Sequence, residues 1–156
     1  MIRTLARPML ASIFLVSGLE TIKRPGGRVR AATPLLDRLI PALGLPDDKD
    51  LLVRANGVAM LAGGALLATG RMPRVAAGVL AVSLVPTTLS VHSFWEAPEA
   101  ERPAQKIQFL KNLSMLGGLL LATVDTEGKP GLAWRAGKLR ESAATRVEAA
   151  RERLAA

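Results

Sequence analysis

Four windows of this chain are almost purely apolar, and the stretches between them are charged, polar or broken by proline. They lie at about 8–23, 51–70, 75–95 and 107–124, each near the length of about 20 residues that a bilayer-crossing helix needs. The pattern predicts an all-α, integral membrane four-helix bundle over residues 1–127, with a short interfacial helix and a polar C-terminal helix in residues 128–156. The first window is the shortest, so Glu20 and Lys23 must sit at the membrane interface or face the bundle. A secretory signal is the other reading of that window, but Glu20, Thr21 and Lys23 directly follow a weak cleavage site at 16–18. Pro8 is expected to open the first helix, where its missing N–H is harmless. Residues 71–74 are too few to join anything but antiparallel neighbours. Pro86 should kink the third span, as membrane helices tolerate. Ala55, Ala59 and Gly63 recur at spacing four, as do Ser114 and Gly118, and such small-residue stripes predict close helix contacts.

The longest connection, 24–50, is punctuated by Pro25, Pro34, Pro41 and Pro46. Within it Thr33 and Pro34 form an N-cap and first-position pair, Leu35, Leu36, Leu39, Ile40 and Leu43 share a side, and Gly44 stops the run. This predicts a helix of one or two turns with its leucines in the lipid boundary, or a loop whose leucines pack on the bundle. The tail predicts a helix over 133–154 with a weak apolar face of Leu139, Ala143, Val147, Ala150 and Leu154. Such a helix is solvated or rides a surface, or else docks on a partner.

Composition changes this picture mainly by exclusion. The chain has three Phe, two Trp and no Tyr, which suits helices packed through small residues better than a soluble core. Its net charge of +8 is spread over loops and tail without aromatic stacking platforms, so no nucleic-acid partner is predicted. Basic residues flanking apolar spans suit anionic lipid head groups instead, making the lipid bilayer the first partner. The lack of cysteine removes disulfides, thiolate metal sites and cysteine nucleophiles. With one histidine, no metal site and no bis-histidine haem are expected. No cofactor bound covalently is expected, so redox chemistry would need a mobile carrier such as a quinone, or belong to a partner.

The polar residues inside the spans fall on one side of the membrane. Odd spans end and even spans begin there, which places Glu20, Lys23, Arg54, Asn56, His92, Glu96, Gln108, Lys111 and Asn112 in one layer. An ionised group at the bilayer centre costs about 3 kcal/mol, so these groups should pair or snorkel. If they snorkel, the long side chains reach head groups and the rest cap helix ends. If they pair, Glu20, Arg54 and Lys111 form a buried ion network with Asn112 bridging towards His92, beside a pocket for a quinone head group or another small polar ligand. His92 is then the group able to exchange a proton near neutral pH.

The HSFW end of the third window, the acidic turn after it and QFLKNLSMLGGLLL resemble the DoxX family of small bacterial membrane proteins. RPMLASIFLVSGLE and RANGVAMLAGGALLATG extend the likeness, and KN followed by an apolar run and GG is its most specific piece. The resemblance implies a four-helix membrane protein linked to quinone, sulfur or thiol redox chemistry, and brings no defined catalytic residues. The function expected is therefore a membrane subunit or accessory factor tied to redox or oxidative-stress physiology, not a self-sufficient enzyme, with membrane-associated redox enzymes or a second copy as partners. A non-catalytic structural or assembly protein is the alternative. A small transporter ranks last, since only Pro86 breaks a span and inverted repeats would break two. Counting Lys and Arg by side barely decides orientation, but the short 71–74 turn, Lys129 and Arg135 favour both termini in the cytoplasm of a cytoplasmic-membrane protein.

Overall fold

In the computed structural model, residues 2–126, 134, 137–143 and 145 are described. Their helices are α1 (Ile2–Lys23), α2 (Gly26–Leu43), α3 (Lys49–Thr69), α4 (Pro73–Val91) and α5 (Arg102–Val124), and no strand occurs among the described residues. Residues 1–124 form one compact unit and 125–156 a second. In the second, residues 137–143 are helical and Lys138 pairs with Glu141 at 2.8 Å. The rest of the helix expected over 133–154 falls mostly outside the described residues.

Four helices, α1, α3, α4 and α5, are long and apolar enough to cross a membrane. Val58, Leu66, Val75, Val79, Val82, Leu113, Leu120 and Leu121 are exposed on their outer faces. In water such a surface would drive aggregation, whereas in a bilayer it is the solvent-facing side. The core between the helices interleaves alanines with larger side chains: Ala11, Phe14, Met60, Leu67, Ala76, Ala77, Leu80, Ala81, Leu84 and Leu119.

The tightest joint is α1 on α3, where Gly18 crosses Gly57. A Cβ at Gly18 would stand 2.8 Å from the Gly57 carbonyl oxygen and 2.8 Å from the Leu61 nitrogen, so the backbones touch. The stripe read as Ala55, Ala59 and Gly63 is therefore displaced: Ala55 is exposed, and the buried residues of α3 are Val53, Gly57, Met60, Gly63, Gly64 and Leu67. Gly57 and Gly64 face α1, and Gly63 faces Leu80 of α4. A four-residue count finds a stripe but not its phase, because α3 must present small residues to two neighbours at once. On α5 the expected Ser114–Gly118 face is looser. Ser114 is exposed, and a Cβ at Gly118 would meet Leu10 of α1 at an ordinary 3.7 Å.

Helix ends depart from the windows where polar residues join the helices. α1 begins at Ile2, not Pro8, and Pro8 sits exposed inside it. α3 begins at Lys49 because the Asp48 side chain accepts the Leu51 N–H at 2.9 Å, an N-cap. α4 stops at Val91, leaving Trp95 in the following turn, and α5 starts at Arg102. The largest correction is α2, which runs 18 residues rather than one or two turns. Thr33 is not its cap but an interior residue whose hydroxyl donates to the Val29 carbonyl at 2.8 Å. Pro34 and Pro41 are both exposed, on the side where the carbonyls they leave unpaired can be hydrated. Gly44 does end the helix, at φ 62°, a left-handed C-cap.

Candidate functional site

α2 packs against α4 and α3. Its Leu35, Leu36 and Leu39 do not enter the lipid boundary but line a cavity of about 1020 Å³, shared with the α1, α3, α4 and α5 segments nearest it. The cavity exists because α1 and α5 touch only sparingly. They meet where Leu10 lies over Gly118 and stand apart towards Ser17, Thr21, Gln108 and Lys111.

The register of the surrounding helices is fixed by hydrogen bonds. The Asn56 amide donates to the Thr87 hydroxyl at 3.2 Å, and the Asn112 amide to the Thr88 hydroxyl at 3.0 Å. Both hydroxyls in turn donate one turn back along α4, Thr87 to the Ser83 carbonyl at 2.9 Å and Thr88 to the Leu84 carbonyl at 2.7 Å. A polar seam thus joins α3 to α4 and α4 to α5. Interhelical bonds of this kind average about 0.6 kcal/mol in membranes, so the seam sets register more than it adds stability. Thr87 and Thr88 carry it, and the sequence reading missed them because TT within an apolar run resembles ordinary membrane-helix filler.

The residues singled out from sequence divide into three groups. Asn56, His92, Lys111 and Asn112 line the cavity. Arg54 instead joins two structural contacts: its Nε meets Asp50, and its Nη1 donates to the Ile22 carbonyl at 2.7 Å. That carbonyl belongs to the last turn of α1, so Arg54 caps a helix end that has no intrahelical partner. Arg74 does the same at the opposite end of the bundle, donating to the Thr123 carbonyl of α5 at 2.7 Å. Glu20 and Glu96 do not line the cavity. The Glu20 side chain is 62% exposed and pairs with Arg28 of α2 at 3.1 Å, while Glu96 is exposed in the turn after α4.

The expected Glu20–Arg54–Lys111 network is therefore absent. The first two have nearer partners, and among the described residues no carboxylate lies within ion-pair distance of Lys111. Nor does Asn112 bridge to His92, whose Nδ1 lies 2.8 Å from Gln105 Oε1 at the start of α5. The expectation fails because α2 begins at Gly26, well before Thr33, and so brings Arg28 to Glu20.

Next to His92 three aromatic rings meet edge to face: Phe94 and Phe109 at 5.5 Å, Phe94 and Trp95 at 5.1 Å, and Trp95 and Phe109 at 5.8 Å. They tie the 92–101 turn to α5, at the membrane end where aromatic side chains suit the interface.

Chemically the cavity is apolar over most of its wall, with donors at Lys111, Gln108 and the amides of Asn56 and Asn112. Among the described residues no fully buried side-chain polar atom lacks a partner. Among the described residues the amide oxygens of Asn56 and Asn112 meet no donor, leaving acceptors beside the donors. No group of three or more metal-ligating side chains occurs among the described residues.

Such a fold and cavity define a multi-pass helical membrane protein with room for an amphiphile in one half of its bundle. More particularly, the chain belongs to the DoxX family, whose model matches residues 2–93, from α1 through the end of α4. The match stops short of the QFLKN segment on α5. No curated protein and no solved structure matches this chain.

Proposed function

We propose that this DoxX-family protein is a membrane subunit or accessory factor of a redox system of the cytoplasmic membrane, and that its cavity holds a quinone. The observation that carries this reading is the pairing of donors with acceptors on an otherwise apolar wall. A quinone ring needs donors at its two carbonyls, and the reduced quinol needs acceptors for its two hydroxyls. Lys111 and Gln108 supply the first, and the free amide oxygens of Asn56 and Asn112 the second. His92, at the rim, is the group suited to exchange a proton with water. The volume is at the upper end of the 300 to 1,000 Å³ or so typical of small-molecule sites, leaving space for part of an isoprenoid tail. The sparse α1–α5 contact gives that tail a way out into lipid.

Nothing in the cavity supplies a second redox centre, so electrons would have to arrive from or leave to a partner enzyme. The test is a titration of the purified full chain carrying Trp134→Phe with decylubiquinone, read by quenching of Trp95. Saturable quenching is expected, and it should weaken by about tenfold or more in Leu36→Phe, which narrows the cavity without adding a fluorophore. Quenching that rises linearly with quinone, or is unchanged in that variant, shows partition into the micelle and refutes the reading. Gentle solubilisation and pull-down should then recover a redox enzyme. Recovery of assembly factors alone would favour a structural role.

A further inference from the structure

The charges around the cavity are one-sided. Its lining holds Arg28 and Lys111 and not one aspartate or glutamate. Arg28 is already matched by Glu20 at 3.1 Å. Lys111 has no such partner among the described residues, and the polar side chains of α4 and α5 that share the cavity wall with it are the neutral Thr87, Ser90, Gln108, Asn112 and Ser114. It does not sit at a helix end, where an ammonium commonly reaches head groups, but is the tenth residue of the 23 in α5. It stands four residues, about 6 Å, into the apolar part of α5 that begins at Ile107. Its side chain is exposed along the cavity wall, with no carboxylate at ion-pair distance among the described residues.

We infer that the cavity takes an acidic amphiphile from the bilayer, a carboxylate or phosphate head on a hydrocarbon chain, with the head at Lys111. The chain lies against Leu35, Leu36, Leu39 and Met115 and leaves between α1 and α5. The Gln108 amide, on the same cavity wall, is the further donor for a head-group oxygen. Binding supplies the anionic partner that Lys111 lacks among the described residues, through a charge-assisted hydrogen bond. This inference shares its cavity with the quinone reading but not its premise, since a neutral quinone can fail to bind while the acid binds, and the reverse.

The experiment uses cis-parinaric acid, whose fluorescence rises in an apolar site, and its neutral methyl ester, titrated into the purified full chain in dodecyl maltoside. The acid should bind about tenfold more tightly than the ester, the effect of one partly screened charge pair. Lys111→Met should remove that preference, and Lys111→Arg should keep it. Equal affinity of acid and ester for the unaltered protein overturns the inference without reference to any variant. So does a preference that survives Lys111→Met. Oleate and phosphatidate, added separately as competitors, identify whether a free acid or a phospholipid fills the site. Displacement by inorganic phosphate, which has no chain, overturns the amphiphile part of the assignment.

Discussion

Replacing Gly18 by alanine tests the joint on which the bundle depends. The new Cβ would lie 2.8 Å from the Gly57 carbonyl oxygen, 2.8 Å from the Leu61 nitrogen and 3.2 Å from the Leu61 Cα. All three are backbone atoms, so no rotamer change relieves the contact and α1 must move away from α3. Such a shift loosens the packing of Phe14 and Thr21, both buried on the same helix. Overpacking a close contact costs about 1 to 3 kcal/mol, and a rigid backbone on the far side argues for the upper half. A control separates this from intrinsic helix propensity. A Cβ at Gly78 of α4 meets nothing within 4 Å, so Gly78→Ala should gain the usual 0.5 to 1 kcal/mol or so of replacing a helical glycine. Unfolding in mixed micelles by increasing SDS, followed by far-UV circular dichroism, should therefore place the two variants on opposite sides of the unaltered protein, about 2 to 3 kcal/mol apart. If Gly18→Ala proves as stable as Gly78→Ala, the α1–α3 crossing described here is wrong.

Three further outcomes are expected. Glu20→Gln should cost about 1 kcal/mol or less, because its pair with Arg28 is exposed, and its effect should add to that of Lys111→Met within about 0.5 kcal/mol; recovery in the double variant would place Glu20 on Lys111 after all. Thr88→Val and Asn112→Leu should instead be coupled, by about 0.6 and at most about 1.7 kcal/mol in a double-mutant cycle, and strict additivity would mean that the α4–α5 bond does not form. Single cysteines, which the chain otherwise lacks, should react with an impermeant reagent on intact cells at Ala100 but not at Ala155 if both termini are cytoplasmic; the opposite labelling reverses the orientation.

The spans were legible because segregation of charge is a property of composition along the chain, and a bilayer enforces it residue by residue. Helix α2 was not. Its Pro34 and Pro41 look like breakers in one dimension and are harmless only because they fall on the exposed side of a helix packed by its other face. The misassigned ion network has the same origin. Depth is readable from span order, and Thr21 of α1 and Lys111 of α5 do line one cavity, but the rotation of each helix about its axis is not readable. Arg54 turned outward to the α1 terminus and Glu20 to α2, while Asn56 and Asn112 turned to α4. A threonine pair at 87–88 gave little warning of its role, since threonine is common in membrane helices and satisfies itself on its own backbone.

That last property bears on how the chain is assembled. Helices leave the ribosome in order, and α1, α3 and α4 interlock through Gly18, Gly57 and Gly63, whereas α5 contributes Leu119 as its one buried residue among those described. The last helix therefore docks onto a unit that is already formed. Until it arrives, Thr88 loses nothing by waiting, because its hydroxyl is bonded to the Leu84 carbonyl of its own helix. Asn112 brings the donor with it. The nascent protein can pause in the membrane with three helices packed and no polar group stranded on the vacant side of α4, and the arrival of α5 is the step that turns an open groove into a chamber.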